Sequence, residues 1–229
     1  MDDRELPANR RPLSDFERAA SLAEFLFGAF VVVAHNMFHV VPNEVPILFG
    51  LALLSFWLRN GGLKFAGLGV PASWAGTLLW AIGAAVLIQL STDFVADPIG
   101  LYVWGPPKEI EAFNEIEGNL QTALTYLALV WTFAAFGEEI GYRAYLLNRA
   151  AEAGGGSRTA VVVALLIVSV LFGVGHWYQG PAGVLGTGIH GFILGGVYLV
   201  SGRNLWTAIL AHGLINTFSI VMLYFGWAS

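Results

Sequence analysis

The chain has 229 residues and a net charge of −5; 56% of the residues are hydrophobic, 12% are charged and none is cysteine. A soluble domain carries about twice that charged fraction, and the mean hydropathy of +0.67 points instead to an integral membrane protein. The absence of cysteine excludes disulfides, thiolate chemistry and iron–sulfur ligation, and the 11 basic residues form neither a stripe nor an aromatic-interleaved patch, so no nucleic-acid partner is expected.

In chain order, residues 1–19 are polar and read as a cytoplasmic N-terminal tail, not as a cleavable signal peptide. A bilayer core of about 30 Å needs about 20 apolar residues per spanning helix. On that ruler, helices fall at 20–38, 45–58, 72–91, 120–148, 159–177, 182–200 and 204–226. The expected fold is an all-α, polytopic membrane helical bundle of about seven to eight transmembrane helices, with 20–117 supplying the N-terminal helices and an outer loop, and 118–229 the transmembrane core of one membrane domain.

Basic residues set the topology. Arg4, Arg10, Arg11 and Arg18 precede the first helix, Arg59 and Lys64 follow the second, Arg149 and Arg158 lie between the fourth and fifth, and Arg203 lies between the sixth and seventh. Strict alternation puts all of these on one side, which the positive-inside rule makes the cytoplasm, with the N-terminus inside. Lys108 falls outside, in a loop from Thr92 to Asn119 whose acids, Asp93, Asp97, Glu109, Glu111, Glu115 and Glu117, read as solvated. Within that loop DPIGLYVWGPP is expected at the membrane interface, and KEIEAFNEIEGNL as a short amphipathic helix.

Polar groups that do not belong in oil gather in the last four spans: Glu138 and Glu139 in FAAFGEEIGYRAYLLNRA, then His176, His190, His212 and Asn216, with Arg143 close by. A charge at the membrane centre costs about 2.5–3.5 kcal/mol, so such residues face one another or a cavity. Glu139 and Arg143 are four apart and can pair on one helix face, which leaves Glu138, about 100° away, for another task. His212 and Asn216 also share a face. His176, beside Trp177 and Tyr178, has the alternative of an aromatic-belt residue. His190 sits among helix-packing glycines, and a hydrogen-bonded core role suits it as well as a functional one. His35 and His39, at the outer end of the first helix, read as structural.

A glutamate and a histidine can take a proton from water while an imidazole and an amide donate to the oxyanion of an attacked carbonyl. Two histidines and a glutamate could equally hold zinc, with Glu138, His176 and His212 as the ligands, although no HExxH accompanies them. The motifs EEIGYR (138–143), FGVGH (172–176) and HGLIN (212–216) fit EExxxR, FxxxH and HxxxN in order. In this the chain resembles the CAAX protease and bacteriocin-processing (ABI) family of intramembrane glutamic endopeptidases, which includes the type II CAAX prenyl endopeptidases. The resemblance covers about residues 118–220, which makes 118–229 the expected catalytic core. It implies a metal-free peptidase with no cofactor, in which Glu138 and His176 activate water, His212 and Asn216 form the oxyanion site, and Glu139 and Arg143 hold the site together; His190 has no counterpart. It also implies a hydrophobic or lipid-modified peptide substrate in a multi-pass protein of a prokaryotic cell membrane.

Depth raises a conflict. At 1.5 Å per residue, Glu138 lies about 16 Å above Arg149 and His212 about 13 Å above Arg203, but His176 lies about 27 Å above Arg158. Straight helices keep His176 from its partners unless the fifth is tilted, starts below the bilayer, bends at Gly173 and Gly175, or the topology of this half differs. Two rival functions remain: a non-proteolytic scaffold or bacteriocin-immunity protein, which would tolerate loss of Glu138, and a small proton-coupled transporter, which would more often show duplicated halves.

Overall fold

A computed structural model of the chain describes residues 12–60, 63–105 and 110–227. Arg4, Arg10, Arg11, Lys108 and Glu109, used for the topology, lie outside them, as does most of the polar tail. The described residues form seven main helices: α1 (Asp15–Asn36), α2 (Glu44–Ser55), α3 (Trp74–Trp104), α4 (Leu120–Ala153), α5 (Arg158–Val174), α6 (Gly180–Val200) and α7 (Leu205–Tyr224). Five of these, α1, α3, α4, α6 and α7, are long and apolar enough to cross a membrane. The other two are shorter, α5 with 17 residues and α2 with 12.

Local chemistry sets the ends. Ser14 and Glu17 close a capping box that starts α1 at Asp15, five residues before the expected boundary. Asn43, Ser73, Asn119 and Ser157 cap α2, α3, α4 and α5 through their side chains. Gly155 and Gly156, both at positive φ, turn the chain sharply from α4 into α5.

The outer loop expected from residue 92 is largely helix. α3 runs on to Trp104 through a π-wound turn, Thr92–Ala96, because Pro98 falls in the first turn of the next α-helical stretch, where its missing N–H breaks little. Of the amphipathic helix expected next, a single turn, Glu111–Asn114, forms. Its neighbour Ile116 is fully buried against Ala123 of α4 and Ile220 of α7.

The main core joins α1, α2, α4 and α5 around Leu48, Tyr145, Leu146 and Phe172; a second cluster joins α3, α6 and α7 around Ala81, Ile88, Leu194 and Ala211. Apolar side chains also point outward in rows, as Leu79, Val86 and Phe94 on α3 and Val162, Leu166 and Val170 on α5, all more than a third exposed. That arrangement suits lipid contact and not water.

Candidate active site

The two acids sit in a run of α4, Val130–Leu147, wound with i→i+5 bonds. Such winding is rare and concentrates at functional sites. Gly137 and Gly141, a GxxxG pair, let α2 close on this run: a Cβ at Gly137 would lie 2.8 Å from Val45 and one at Gly141 would lie 3.0 Å from Leu48.

Glu139 is fully buried and joins α4 to α7. Its Oε1 lies 3.0 Å from Arg143 Nη1 and 2.8 Å from His212 Nδ1 on α7. Arg143 Nη2 donates to the Gly191 carbonyl of α6 at 3.2 Å, and its guanidinium lies 4.2 Å from the centre of the Phe172 ring on α5. The expected Glu139–Arg143 pairing is therefore present, with His212 as a third member. Glu138 turns away from this cluster, and its buried Oε2 has no hydrogen-bond partner among the described residues.

His176 lies just beyond α5, where Nδ1 is 2.9 Å from the Phe172 carbonyl. A carbonyl only accepts, so Nδ1 carries the hydrogen and Nε2 is bare in the neutral ring. Gly175 is needed beside it, since a Cβ there would meet the Tyr142 hydroxyl at 2.6 Å. On α7, Gly213 admits the indole of Trp131, which a Cβ would meet at 2.4 Å, and Trp131 Nε1 donates to Thr217.

Glu138, His176, His212 and Asn216 line one cavity of about 310 Å³. Ile215, Ile220, Leu223 and Val130 continue it as an apolar trough between α4 and α7. His190 lines it too, with Nε2 2.8 Å from Thr92 Oγ1, where sequence reading had left it a bystander.

The depth conflict resolves at the cavity that Glu138, His176 and His212 line together: the His176 ring turns back toward the Phe172 carbonyl, and α4 runs on past Arg149 to Ala153.

Sequence reading missed other groups. Glu44, at the start of α2, is buried and lies 3.2 Å from Nε2 of His35, which reads in the sequence as structural with no partner named. Glu44 Oε1 also comes within 3.6 Å of a Cβ placed on Gly175. Its signal was an acid set between Asn43 and the apolar run VPILFG. Arg59 and Arg149, expected in cytoplasmic connections between helices, are tied to Glu24 and Glu152, and Arg149 is fully buried. For the zinc alternative, the described His, Asp and Glu residues include no group of three spaced to hold an ion.

Residues 120–218 match the family model for type II CAAX prenyl endopeptidase Rce1-like proteins. Over 196 residues the chain is 29% identical to the "Putative membrane peptidase YdiL" of Bacillus subtilis (strain 168), covering 86% of this chain and 68% of that protein. No solved structure matches. The chain is thus an all-α polytopic membrane protein whose α4–α7 half is similar to CAAX prenyl endopeptidases.

Proposed function

We propose that the chain is an intramembrane endopeptidase in which water is activated by Glu138 and His176. The observation that carries this reading is the unpartnered carboxylate oxygen of Glu138 at a cavity shared with His176, His212 and Asn216. An acid left unbonded there costs stability unless something else occupies it. We assign that place to a water from the cavity: Glu138 takes its proton with His176 Nε2 alongside, and the hydroxide adds to the scissile carbonyl. Asn216 Nδ2 and His212 Nε2 then donate to the developing oxyanion. Because His212 Nδ1–H is committed to Glu139, its Nε2 donates only when both ring nitrogens carry hydrogen, and Glu139, held by Arg143, balances that charge. The proton taken by Glu138 passes to the leaving amine, and the C–N bond breaks.

The trough beyond His212 suits an apolar chain, so the substrate class is a hydrophobic or lipid-modified peptide, and the family description makes a prenylated CAAX peptide the first probe. Residues 118–229 form the catalytic core, with 20–117 packed around it, and α2 and α5 serve as short spans among the five long ones. The end that carries Arg18, Arg59, Arg149 and Arg203 faces the cytoplasm, with the N-terminus on that side.

The test is cleavage of a quenched peptide library, prenylated and unmodified, by purified protein in detergent with and without chelator. Cleavage that survives chelator and is lost in Glu138→Ala supports the reading. Loss to chelator with recovery on adding zinc would replace it with a metallopeptidase built on Glu138, His176 and His212. A protein that cleaves nothing and whose Glu138→Ala variant still supports its cellular role would be a scaffold.

A further inference from the structure

A second cavity, about 510 Å³, opens at the opposite end of the bundle from α7's apolar trough, where the start of α3 meets the turn between α6 and α7. It is independent of the peptidase reading. Its polar wall is Ser73, Thr77, Asn204 and Thr207; its apolar wall is Trp80 and Val200.

The hydrogen bonds in this wall have a direction. Thr77 donates its single hydroxyl hydrogen to the Ser73 carbonyl at 2.9 Å, so its oxygen is left to accept, and it does so from Asn204 Nδ2 at 2.8 Å. That fixes the Asn204 amide with Oδ1 pointing elsewhere, and this buried oxygen has no partner among the described residues. Thr207 is fully buried, lines the same cavity, and its hydroxyl is also without a partner. Two buried oxygens without a partner, both from residues on one cavity wall, call for a donor from outside the chain.

The adjoining surface asks for the opposite charge. α3 begins at Trp74, with Gly76 N capped by Ser73 Oγ and Thr77 N bonded to the Ser73 carbonyl, which leaves the other first-turn N–H groups facing out at the positive end of a long helix. Trp74 and Trp206 lie with ring centres 5.9 Å apart, an aromatic pair of the kind found at the membrane interface.

We propose that this cavity binds a phospholipid headgroup that joins a phosphate diester to a hydrogen-bond donor. The phosphate meets the first turn of α3, the donor, an ammonium or a hydroxyl, meets Asn204 Oδ1 and Thr207 Oγ1, and the acyl chains run along Trp80 and Val200. Phosphatidylethanolamine and phosphatidylglycerol carry such a donor. Phosphatidylcholine, with the same phosphate and a quaternary ammonium, does not.

Delipidated protein in detergent is titrated with dioleoyl forms of the three lipids, and binding is read by native mass spectrometry and thermal shift. The ethanolamine and glycerol lipids are expected to bind at least about fivefold more tightly than the choline lipid, the effect of one or two hydrogen bonds. Thr207→Val removes a hydroxyl that has no partner, so the variant folds, yet the preference falls to about twofold or less; Asn204→Leu does the same from the other acceptor, and Glu138→Gln leaves it intact. Equal binding of all three lipids, or an undiminished preference in both Thr207→Val and Asn204→Leu, would overturn the proposal. Soluble glycerophosphoethanolamine is expected to compete weakly, and competition as strong as the whole lipid's would instead assign the site to a free phosphodiester.

Discussion

Among the described residues, two clusters bring acids and arginines together inside the bundle, and they are bonded to different degrees. At the end where α1, α2 and α4 meet, Glu24 takes Arg59 Nη1 at 2.6 Å on one oxygen and Arg149 Nε at 3.0 Å, with Ser55, on the other. Glu152 completes the ring through Arg149 at 2.6 Å and Ser21 at 2.8 Å. In the cavity cluster, Glu139 spends one oxygen on two partners, while its second oxygen and Glu138 Oε2 have none among the described residues. The saturated cluster fixes helices; the unsaturated one keeps donors and acceptors in reserve for something that comes and goes. Both contain acids and arginines under apolar side chains, so composition does not separate them. Bonding does.

The sharpest way to break this contrast is to neutralise one member of each cluster. Glu138→Gln should lower kcat by about 10³-fold while the melting temperature in detergent stays level or rises, because the variant removes a buried acid whose Oε2 has no hydrogen-bond partner among the described residues. Arg149→Met should do the reverse: about 2 kcal/mol of stability is lost, since Glu24, Glu152 and Ser55 lose their fully buried partner and the two acids keep only Arg59, and the folded fraction retains its kcat. Unfolding by SDS or heat, followed together with peptide cleavage, separates the two. Next in size, Asn216→Ala should cost about 10²-fold in kcat with little change in KM, as expected for a donor that meets only the oxyanion. The smallest effect belongs to the scaffold of the site: Gly213→Ala drives a methyl group into Trp131 and should cost about 1–2 kcal/mol, with a modest loss of activity as α7 moves off α4. A Gly213→Ala variant as stable as wild type would show that α7 has room the close contact denies.

Much of the site was legible in the sequence, because three short motifs carry it and helical spacing is rigid. Glu139 and Arg143 pair at four residues as expected, and the different direction of Glu138 leaves it facing the cavity. What could not be read was anything set by a partner far along the chain. Arg149 reads as part of a cytoplasmic connection because its acids, Glu24 and Glu152, come from another helix and the next turn. The continuation of α3 was hidden by Asp93, Asp97 and Pro98, loop signals that a π-wound turn absorbs. The depth of His176 was miscounted because backbone rise ignores where a ring points: the imidazole returns one turn toward Phe172. Glycine pairs such as Gly137 and Gly141 did advertise a close helix contact, and reading them would have placed α2 against the two acids.

The most direct test of the central claim is the initial rate at which purified Glu138→Gln cleaves the quenched peptide that wild type cleaves fastest, both proteins in the same detergent with chelator present. If Glu138 is the group that takes the proton from water, the rate falls by about 10³-fold with KM within a few-fold of wild type. A variant that keeps its rate within about twofold would contradict the account, because a glutamine cannot serve as that base.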